Sequence, residues 1–126
     1  MDKAIIVVGK HFAGKSKTIN VYLKPKLGLS VHEHVFELNG QPGFILSQSF
    51  EESGRDVDYV IEKYGNRYTY LVLASRPADE VGSNLEEAKQ KLSHVGYNVS
   101  IVEIEPKQPD EYYKNKASNI LEILNA

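Results

Sequence analysis

The sequence contains no cysteine, and this absence excludes disulfide bonds and thiolate metal sites. It also lacks any apolar run near the roughly 20 residues that a membrane-spanning helix needs, and its N-terminus has no signal-peptide pattern. The formal net charge is only -2, which gives no general attraction to nucleic acid or to an anionic membrane. We therefore expect a cytoplasmic protein with no membrane partner, and nucleic acid is not indicated as a partner.

The composition is that of an ordinary folded domain. Hydrophobic residues make up 41% of the chain and charged residues 25%, which argues against disorder. A chain of 126 residues can bury one core and has little room for a second. Since no repeat or linker interrupts the sequence, we predict a single domain over residues 1–126.

Segments with strand and helix patterns alternate along the chain. An unbroken apolar run near the N-terminus is typical of a strand buried on both faces of a parallel sheet, and a proline is expected to end the helix that follows it. The predicted elements are a strand Ala4 to Val8, a helix Lys15 to Lys24 ended by Pro25, hairpin strands over 35–38 and 43–47, a helix ended by Gly65, a strand over 68–75, a helix from Ser83 to Gly96, a strand over 98–104 and a helix starting at Asp110. The apolar stripe of this last helix is predicted to consist of Tyr113, Ala117, Ile120, Leu121 and Leu124.

This alternation predicts an α/β fold with helices on both faces of a sheet. The Asn39-Gly40 pair supplies turn geometry, so the segments on either side of it are expected to form a β-hairpin. We predict a three-layer sandwich with a mainly parallel sheet of about five strands and one antiparallel edge strand. The second hairpin strand is expected to lie beside the first strand of the chain.

A phosphate-binding motif lies between the first strand and the first helix. Residues 9–16 have the sequence G-K-H-F-A-G-K-S, which satisfies G-x-x-x-x-G-K-[ST] at every fixed position. The glycines allow backbone N–H groups to converge on phosphate oxygens, the lysine reaches the β- and γ-phosphates, and the serine hydroxyl ligates Mg²⁺. The alternative is a glycine-rich turn with an incidental lysine. The predicted binding residues are Gly9, Lys10, His11, Phe12, Ala13, Gly14, Lys15, Ser16 and Lys17, with Lys15 also catalytic and Ser16 the metal ligand.

On these residues the sequence resembles the P-loop NTPases, and its element order is similar to that of the small GTPases and kinases. The resemblance implies an ATP- or GTP-binding α/β sandwich that uses Mg²⁺. Three family features are missing. The apolar strands end in Ser47 and Ala74 where the family has an aspartate, the guanine-reading Asn-Lys-x-Asp is absent, and no arginine-rich lid is present. Without a guanine signature, we expect ATP to bind at least as well as GTP.

Glu51 and Glu52 are the candidates for a role in the chemical step. They follow the second hairpin strand, where a carboxylate can orient the attacking water or complete the Mg²⁺ shell; the alternative is a solvated loop that caps the next helix. Arg76 follows a buried strand at its carboxyl end and is expected to touch phosphate or base, or else to be a surface arginine. His32 and His34 alternate as a metal pair does, but exposed loop histidines are the simpler interpretation.

The function predicted from the sequence is magnesium-dependent binding of a nucleoside triphosphate, with ATP favoured over GTP. Two classes of function stay open: an NTPase or small kinase that transfers the γ-phosphate to water or another acceptor, and a non-catalytic switch that responds to nucleotide occupancy. A degenerate loop that holds a different anion is a weaker third alternative. Because the chain is short, a protein partner or a homo-oligomer is expected to supply acceptor or partner surfaces.

Overall fold

The chain has an α/β fold, and the computed structural model describes residues 2–10, 13–50, 57–65 and 67–126. The strands are β1 (Lys3–Val8), β2 (Val35–Leu38), β3 (Gln41–Ser49), β4 (Tyr70–Ser75) and β5 (Asn98–Glu103). Helix α1 consists of a π-helical segment, Lys17–Leu23, and an α-helical turn, Lys24–Lys26. The other helices are α2 (Val57–Tyr64), α3 (Leu85–His94) and α4 (Asp110–Asn125).

The five strands form one mixed, mostly parallel sheet in the order β2-β3-β4-β1-β5. Strand β1 pairs in parallel with β4 on one side and with β5 on the other. Strand β3 pairs in parallel with β4, whereas β2 pairs antiparallel with β3 at the edge. The predicted α/β class, the number of strands and the single antiparallel edge strand are therefore confirmed.

One predicted neighbour relation in the sheet is wrong. The second hairpin strand, β3, does not lie beside β1, because β4 lies between them and pairs with both. All six residues of β4 are buried, as expected for a strand with a neighbour on each side and a helix layer on each face. The chain leaving β3 therefore emerges two strand positions from the loop that follows β1, about 10 Å along the sheet.

The sheet carries one helix layer on each face. Because side chains alternate along a strand, Ile5 and Val7 of β1 face one core whereas Ile6 and Val8 face the other. The first core includes residues of α1 and α4, and the second includes residues of α2 and α3. The predicted three-layer arrangement follows from this division.

Helix α1 departs from its predicted form. It does not end before Pro25 but continues to Lys26. The hydrogen-bond pattern changes at this point: the N–H of Lys24 donates to the carbonyl of Ile19, five residues earlier. Pro25 follows at the start of the α-helical turn, where a residue without an N–H is tolerated. Lys24 is fully buried and donates from Nζ to the Val31 carbonyl at 2.8 Å, which ties the end of α1 to the loop before β2.

The β2–β3 hairpin has the predicted Asn-Gly turn. Both turn residues have positive φ, 54° at Asn39 and 76° at Gly40, as the hairpin turn of this sequence requires. Strand β3 begins at Gln41, two residues before the predicted start. Among the described helices, none is both long and apolar enough to cross a lipid bilayer.

The contact between Gly43 and Phe36 gives a test of the hairpin. These residues are paired across the two strands, and a Cβ at position 43 would lie 2.1 Å from the Phe36 ring. We predict that Gly43→Ala lowers the free energy of unfolding by about 1–3 kcal/mol, because the buried ring must move. Urea denaturation should show a smaller loss for Gly43→Ala in a Phe36→Ala background. Equal losses in the two backgrounds would contradict the steric explanation.

Candidate functional site

The loop after β1 starts at the carboxyl edge of the sheet with Gly9. Its N–H donates to the carbonyl of Ser75, the last residue of the neighbouring strand β4, at 3.1 Å. A Cβ at position 9 would lie 2.8 Å from the Ala13 Cβ and 3.0 Å from the Ile104 carbonyl oxygen. A larger residue does not fit there, because the loop folds back closely on itself.

The second motif glycine, Gly14, closes the loop against helix α4. Its φ is +99°, a conformation that favours glycine, and a Cβ there would lie 2.5 Å from the Tyr113 ring. The Gly14 carbonyl accepts hydrogen bonds from both the N–H and the Oγ1 of Thr18, at 2.9 and 2.8 Å. Gly14 therefore has structural reasons to be glycine in addition to its place in the motif.

Lys15 points into the loop. Only 4% of the residue is exposed, and its Nζ donates to the carbonyl oxygens of Gly9 at 2.5 Å and Lys10 at 3.1 Å. A lysine is rarely so buried unless polar groups surround its charge. The fold thus holds an ammonium group at the edge where parallel sheets bind ligands.

The exposed hydroxyl of Ser16 reaches the end of β3. Its Oγ donates to the carbonyl of Ser47 at 3.3 Å, across the carboxyl end of β4. The pairing of β3 with β4 shifts register between Ile45 and Ser49, and Ser47 lies within this irregular stretch. The Ser16 Oγ uses its proton in this bond and keeps lone pairs that can face a cation.

The other basic residues near the loop differ in their surroundings. Lys10 is exposed and lines a cleft beside β5. Lys17 pairs with Asp110, the first residue of α4, at 2.5 Å, and lies 5.4 Å from the centre of the Tyr113 ring. Ala13 is buried, and its N–H donates to the Lys10 carbonyl at 2.9 Å. His11 and Phe12 lie outside the described residues.

The predicted residues beyond the loop have mixed outcomes. Glu51 and Glu52 lie outside the described residues. The predicted position of β3 next to β1 is wrong, but the Ser16–Ser47 contact links the end of β3 to the loop. Arg76 follows β4, the strand that lies next to β1. The Arg76 carbonyl accepts hydrogen bonds from the hydroxyls of Ser75 and Ser83 at 3.0 and 2.8 Å.

The histidines before β2 are not part of a metal cluster among the described residues. His34 Nδ1 lies 3.2 Å from the Ile45 carbonyl, and its ring stacks on Phe44 with centroids 6.0 Å apart. The Glu33 carboxylate accepts the N–H of Ser30 at 3.0 Å, and this bond lowers the pKa of Glu33. The His34 contacts favour the simpler interpretation of this histidine as a loop residue.

Several residues at the site were missed in the sequence. Tyr113 was predicted only as part of the apolar stripe of α4, yet its ring packs on Gly14 and its hydroxyl donates to the Glu105 carbonyl at 3.0 Å. The contact between Lys17 and Asp110, the first residue of α4, was likewise not expected. The cleft beside the loop was also missed, with its carboxylates Asp79, Glu103 and Glu105. A single sequence gives no signal for such contacts, because strand order decides which loops meet.

No protein-family model matches the chain, and no curated protein or solved structure shows significant similarity to it.

The Lys17–Asp110 ion pair gives a pH-dependent prediction. The hydrogen bond from Lys17 holds the pKa of Asp110 below its ordinary value of 3.8, and the same bond raises the pKa of Lys17. A carboxylate with a lowered pKa contributes stability above its ordinary pKa and loses it as the pH falls through the lowered value. We predict that Asp110→Asn lowers the melting temperature slightly at pH 7, since exposed pairs contribute little, and has no such effect in strong acid.

The matched control is Glu111→Gln, which removes the same charge from the same first turn of α4. Both substitutions weaken the interaction with the helix dipole, so the difference between them reports the contacts of the Asp110 carboxylate, of which the hydrogen bond with Lys17 is the largest. Calorimetric melting at low salt from pH 2 to pH 7 measures that difference. A difference that stays constant over this range would mean that the ion pair does not contribute.

Proposed function

We propose that this chain is a P-loop nucleotide-binding protein that holds a nucleoside triphosphate, ATP rather than GTP, together with Mg²⁺. The observation that carries the proposal is the buried Lys15 ammonium inside the Gly9–Ser16 loop, at the carboxyl edge of a parallel sheet. In the P-loop motif this lysine binds the β- and γ-phosphates. The full motif match and the position of the loop between a buried strand and a helix are the context that the motif requires.

The Mg²⁺ would be held by the hydroxyl of Ser16. Hard cations prefer oxygen ligands, and the hydrogen bond to Ser47 orients the Ser16 Oγ by using its proton. In the P-loop NTPases, which the motif resembles, an aspartate at the end of an apolar strand supports the metal. Here a backbone carbonyl occupies the position next to the serine hydroxyl. A Mg²⁺ held there would neutralise part of the negative charge of the phosphates.

Transfer of the γ-phosphate to water or to another acceptor is the catalytic form of the proposal. It needs a group that orients the acceptor, and Glu51 and Glu52 are the candidates. They follow Phe50, which is buried directly after β3. The Ser16–Ser47 contact supports a location near the phosphates for the end of β3.

A nucleotide-dependent switch without fast turnover is the second candidate, and a specific contact favours it. Helix α4 packs Tyr113 against Gly14 and pairs Asp110 with Lys17. Any movement of the loop on binding phosphate would therefore act on the start of α4. Nucleotide binding could therefore change the position of α4, an outer helix that a protein partner could contact.

The first test of the proposal is the removal of the Lys15 ammonium. We predict that Lys15→Ala weakens the binding of MgATP at least about tenfold, or 1.4 kcal/mol, because a charge-assisted contact is lost. Isothermal titration calorimetry measures the affinity. Lys15→Met keeps most of the buried stem and separates the loss of charge from a loss of packing. Lys26→Ala, at the exposed end of α1, is the matched control and should bind normally. Unchanged affinity in both Lys15 variants would refute the proposal.

The second test separates the enzyme from the switch. Steady-state phosphate release is measured with ATP and with GTP as substrates. If the protein turns over, we predict that Glu51→Gln or Glu52→Gln lowers kcat at least about tenfold with little change in nucleotide affinity, as expected for a contact made in the transition state. Glu62→Gln on the exposed face of α2 is the charge-matched control.

The variants must melt at the wild-type temperature, because a helix-capping role for these carboxylates would reduce stability instead. Tight binding of MgATP without phosphate release would identify the switch. Binding of simple anions alone, with no gain from the nucleoside, would identify a degenerate loop. A preference for GTP of more than about tenfold, which is 1.4 kcal/mol, would show that another segment recognises guanine.

A further inference from the structure

Strand β5 forms one edge of the sheet. On its inner side it pairs with β1 residue by residue over Asn98–Glu103, without a shift in register. On its outer side it pairs with none of the five strands that the structure describes. An open edge of this kind carries a row of backbone donors and acceptors that can pair with a strand of another chain.

The hydrogen bonds to β1 show which residues of β5 form this open row. The N–H of Asn98 donates to the Asp2 carbonyl at 2.8 Å, and the N–H of Ile104 donates to the Val8 carbonyl at 2.7 Å. The backbone groups that face β1 thus belong to the even-numbered residues. Because these groups alternate in direction along a strand, the outward-facing ones belong to the odd-numbered residues: Val99, Ile101 and Glu103.

The side chains at the centre of this edge are uncharged. Ile101 is 36% exposed, and Val99 and Ser100 beside it are partly exposed. Glu103, at the end of the strand, is its one charged residue. Edge strands of soluble proteins are commonly protected from pairing by lysine, proline or a bulge, and β5 has none of these. It is therefore an unprotected edge.

The opposite edge strand, β2, is less suited to pairing with another chain. It has only four residues. The N–H of Ile45 donates to the His34 carbonyl at 2.8 Å, so the outward-facing backbone groups of β2 belong to Val35 and Glu37. Glu37 is exposed, and a charged side chain on a short edge strand is one of the features that prevent pairing.

Strand β5 is complementary to a second copy of itself in the antiparallel direction. In such a pair, outward-facing residues lie opposite each other and exchange two N–H···O bonds. With Ser100 on the two-fold axis, Val99 of each copy lies opposite Ile101 of the other, and β-branched pairs of this kind are favourable. The two Glu103 carboxylates fall at opposite ends, about 20 Å apart, which is beyond the screening length at physiological salt. No like charges are opposed.

We propose that β5 pairs with β5 of a second copy of this chain and joins the two sheets into one continuous sheet. The charge pattern and the symmetric placement of Val99 and Ile101 about Ser100 favour a second copy as the partner. The contact uses the same surface on both chains, as closed dimers do. Because the strands are antiparallel, the loops after β1 of the two copies lie at opposite edges of the joined sheet. The dimer therefore forms without a nucleotide, and this inference is independent of the proposed function.

The experiment measures the mass of the protein by sedimentation equilibrium as its concentration is raised. We expect the wild type to approach twice the mass of one chain, with or without MgATP. Ile101→Lys puts two charges into each dimer and should weaken the dimer at least about tenfold. Ile101→Pro should weaken it too, because it removes an N–H that faces away from β1 and leaves the bonds within the sheet intact. Val35→Lys, the same change at the edge of β2, is the matched control and should keep the dimer.

The variant Ser100→Cys tests the register and does not depend on weakening the dimer. The chain has no native cysteine. Residues in a non-hydrogen-bonded antiparallel pair have Cα atoms about 4.5 Å apart, which is within reach of a disulfide. Mild oxidation should therefore link two Ser100→Cys chains much faster than two Ser30→Cys chains, in which the exposed serine lies in the loop before β2.

Three results would overturn the proposal. The first is a wild-type protein that stays monomeric up to about 1 mM, because its self-association would then be weaker than that of a specific complex. The second is a dimer that survives both Ile101 substitutions, or one that Val35→Lys dissociates, because the contact would then lie elsewhere. The third is equal cross-linking of Ser100→Cys and Ser30→Cys, which would mean random collision. The variants are compared at a temperature where circular dichroism shows that each is folded.

Discussion

The burial of one ammonium group is the constraint on which the proposed site depends. Lys15 is almost fully enclosed, and its Nζ is held by the carbonyl oxygens of Gly9 and Lys10. A buried charge is costly unless polar groups or an opposite charge surround it. The backbone must therefore curl around this side chain, and that curl requires a residue without a Cβ at position 9. The buried position of the charge thus depends on the curled shape of the loop, which supplies the carbonyl oxygens that surround it.

The parts of the structure that follow from local pattern could be predicted from the sequence. The apolar run of β1, the Asn39-Gly40 turn and the helix α4 depend on neighbours along the chain, and the structure contains all three. The order of the strands depends on long-range packing instead. Strand β4 is buried throughout and takes a central position, which separates β3 from β1. No local pattern in the sequence indicates that β4 lies between β3 and β1, so the hairpin was predicted beside β1 instead.

Local sequence patterns carry no information on long-range packing, and this also explains the site contacts that were not predicted. The spacing of the motif locates Lys15 and Ser16, but no spacing predicts that Tyr113, about one hundred residues later, packs on Gly14. Its place in the apolar stripe of α4 is correct, since the ring is buried, yet that stripe gives no sign of the hydroxyl contact with Glu105. Asp79 and Glu105 belong to different loops, and they become neighbours of one cleft because β4 and β5 flank β1.

The two motif glycines are weaker support for nucleotide binding than Lys15 is. Gly9 would be glycine in any turn that approaches Ala13 and the Ile104 carbonyl this closely, and Gly14 would be glycine against Tyr113 with its positive φ. Packing alone therefore explains both, so they satisfy the motif without requiring a phosphate. Packing does not explain Lys15, because an apolar side chain would fill the same space without the cost of burying a charge. Lys15 is therefore the residue that supports the proposed anionic ligand, and a loop of the same shape with a methionine at this position would not support one.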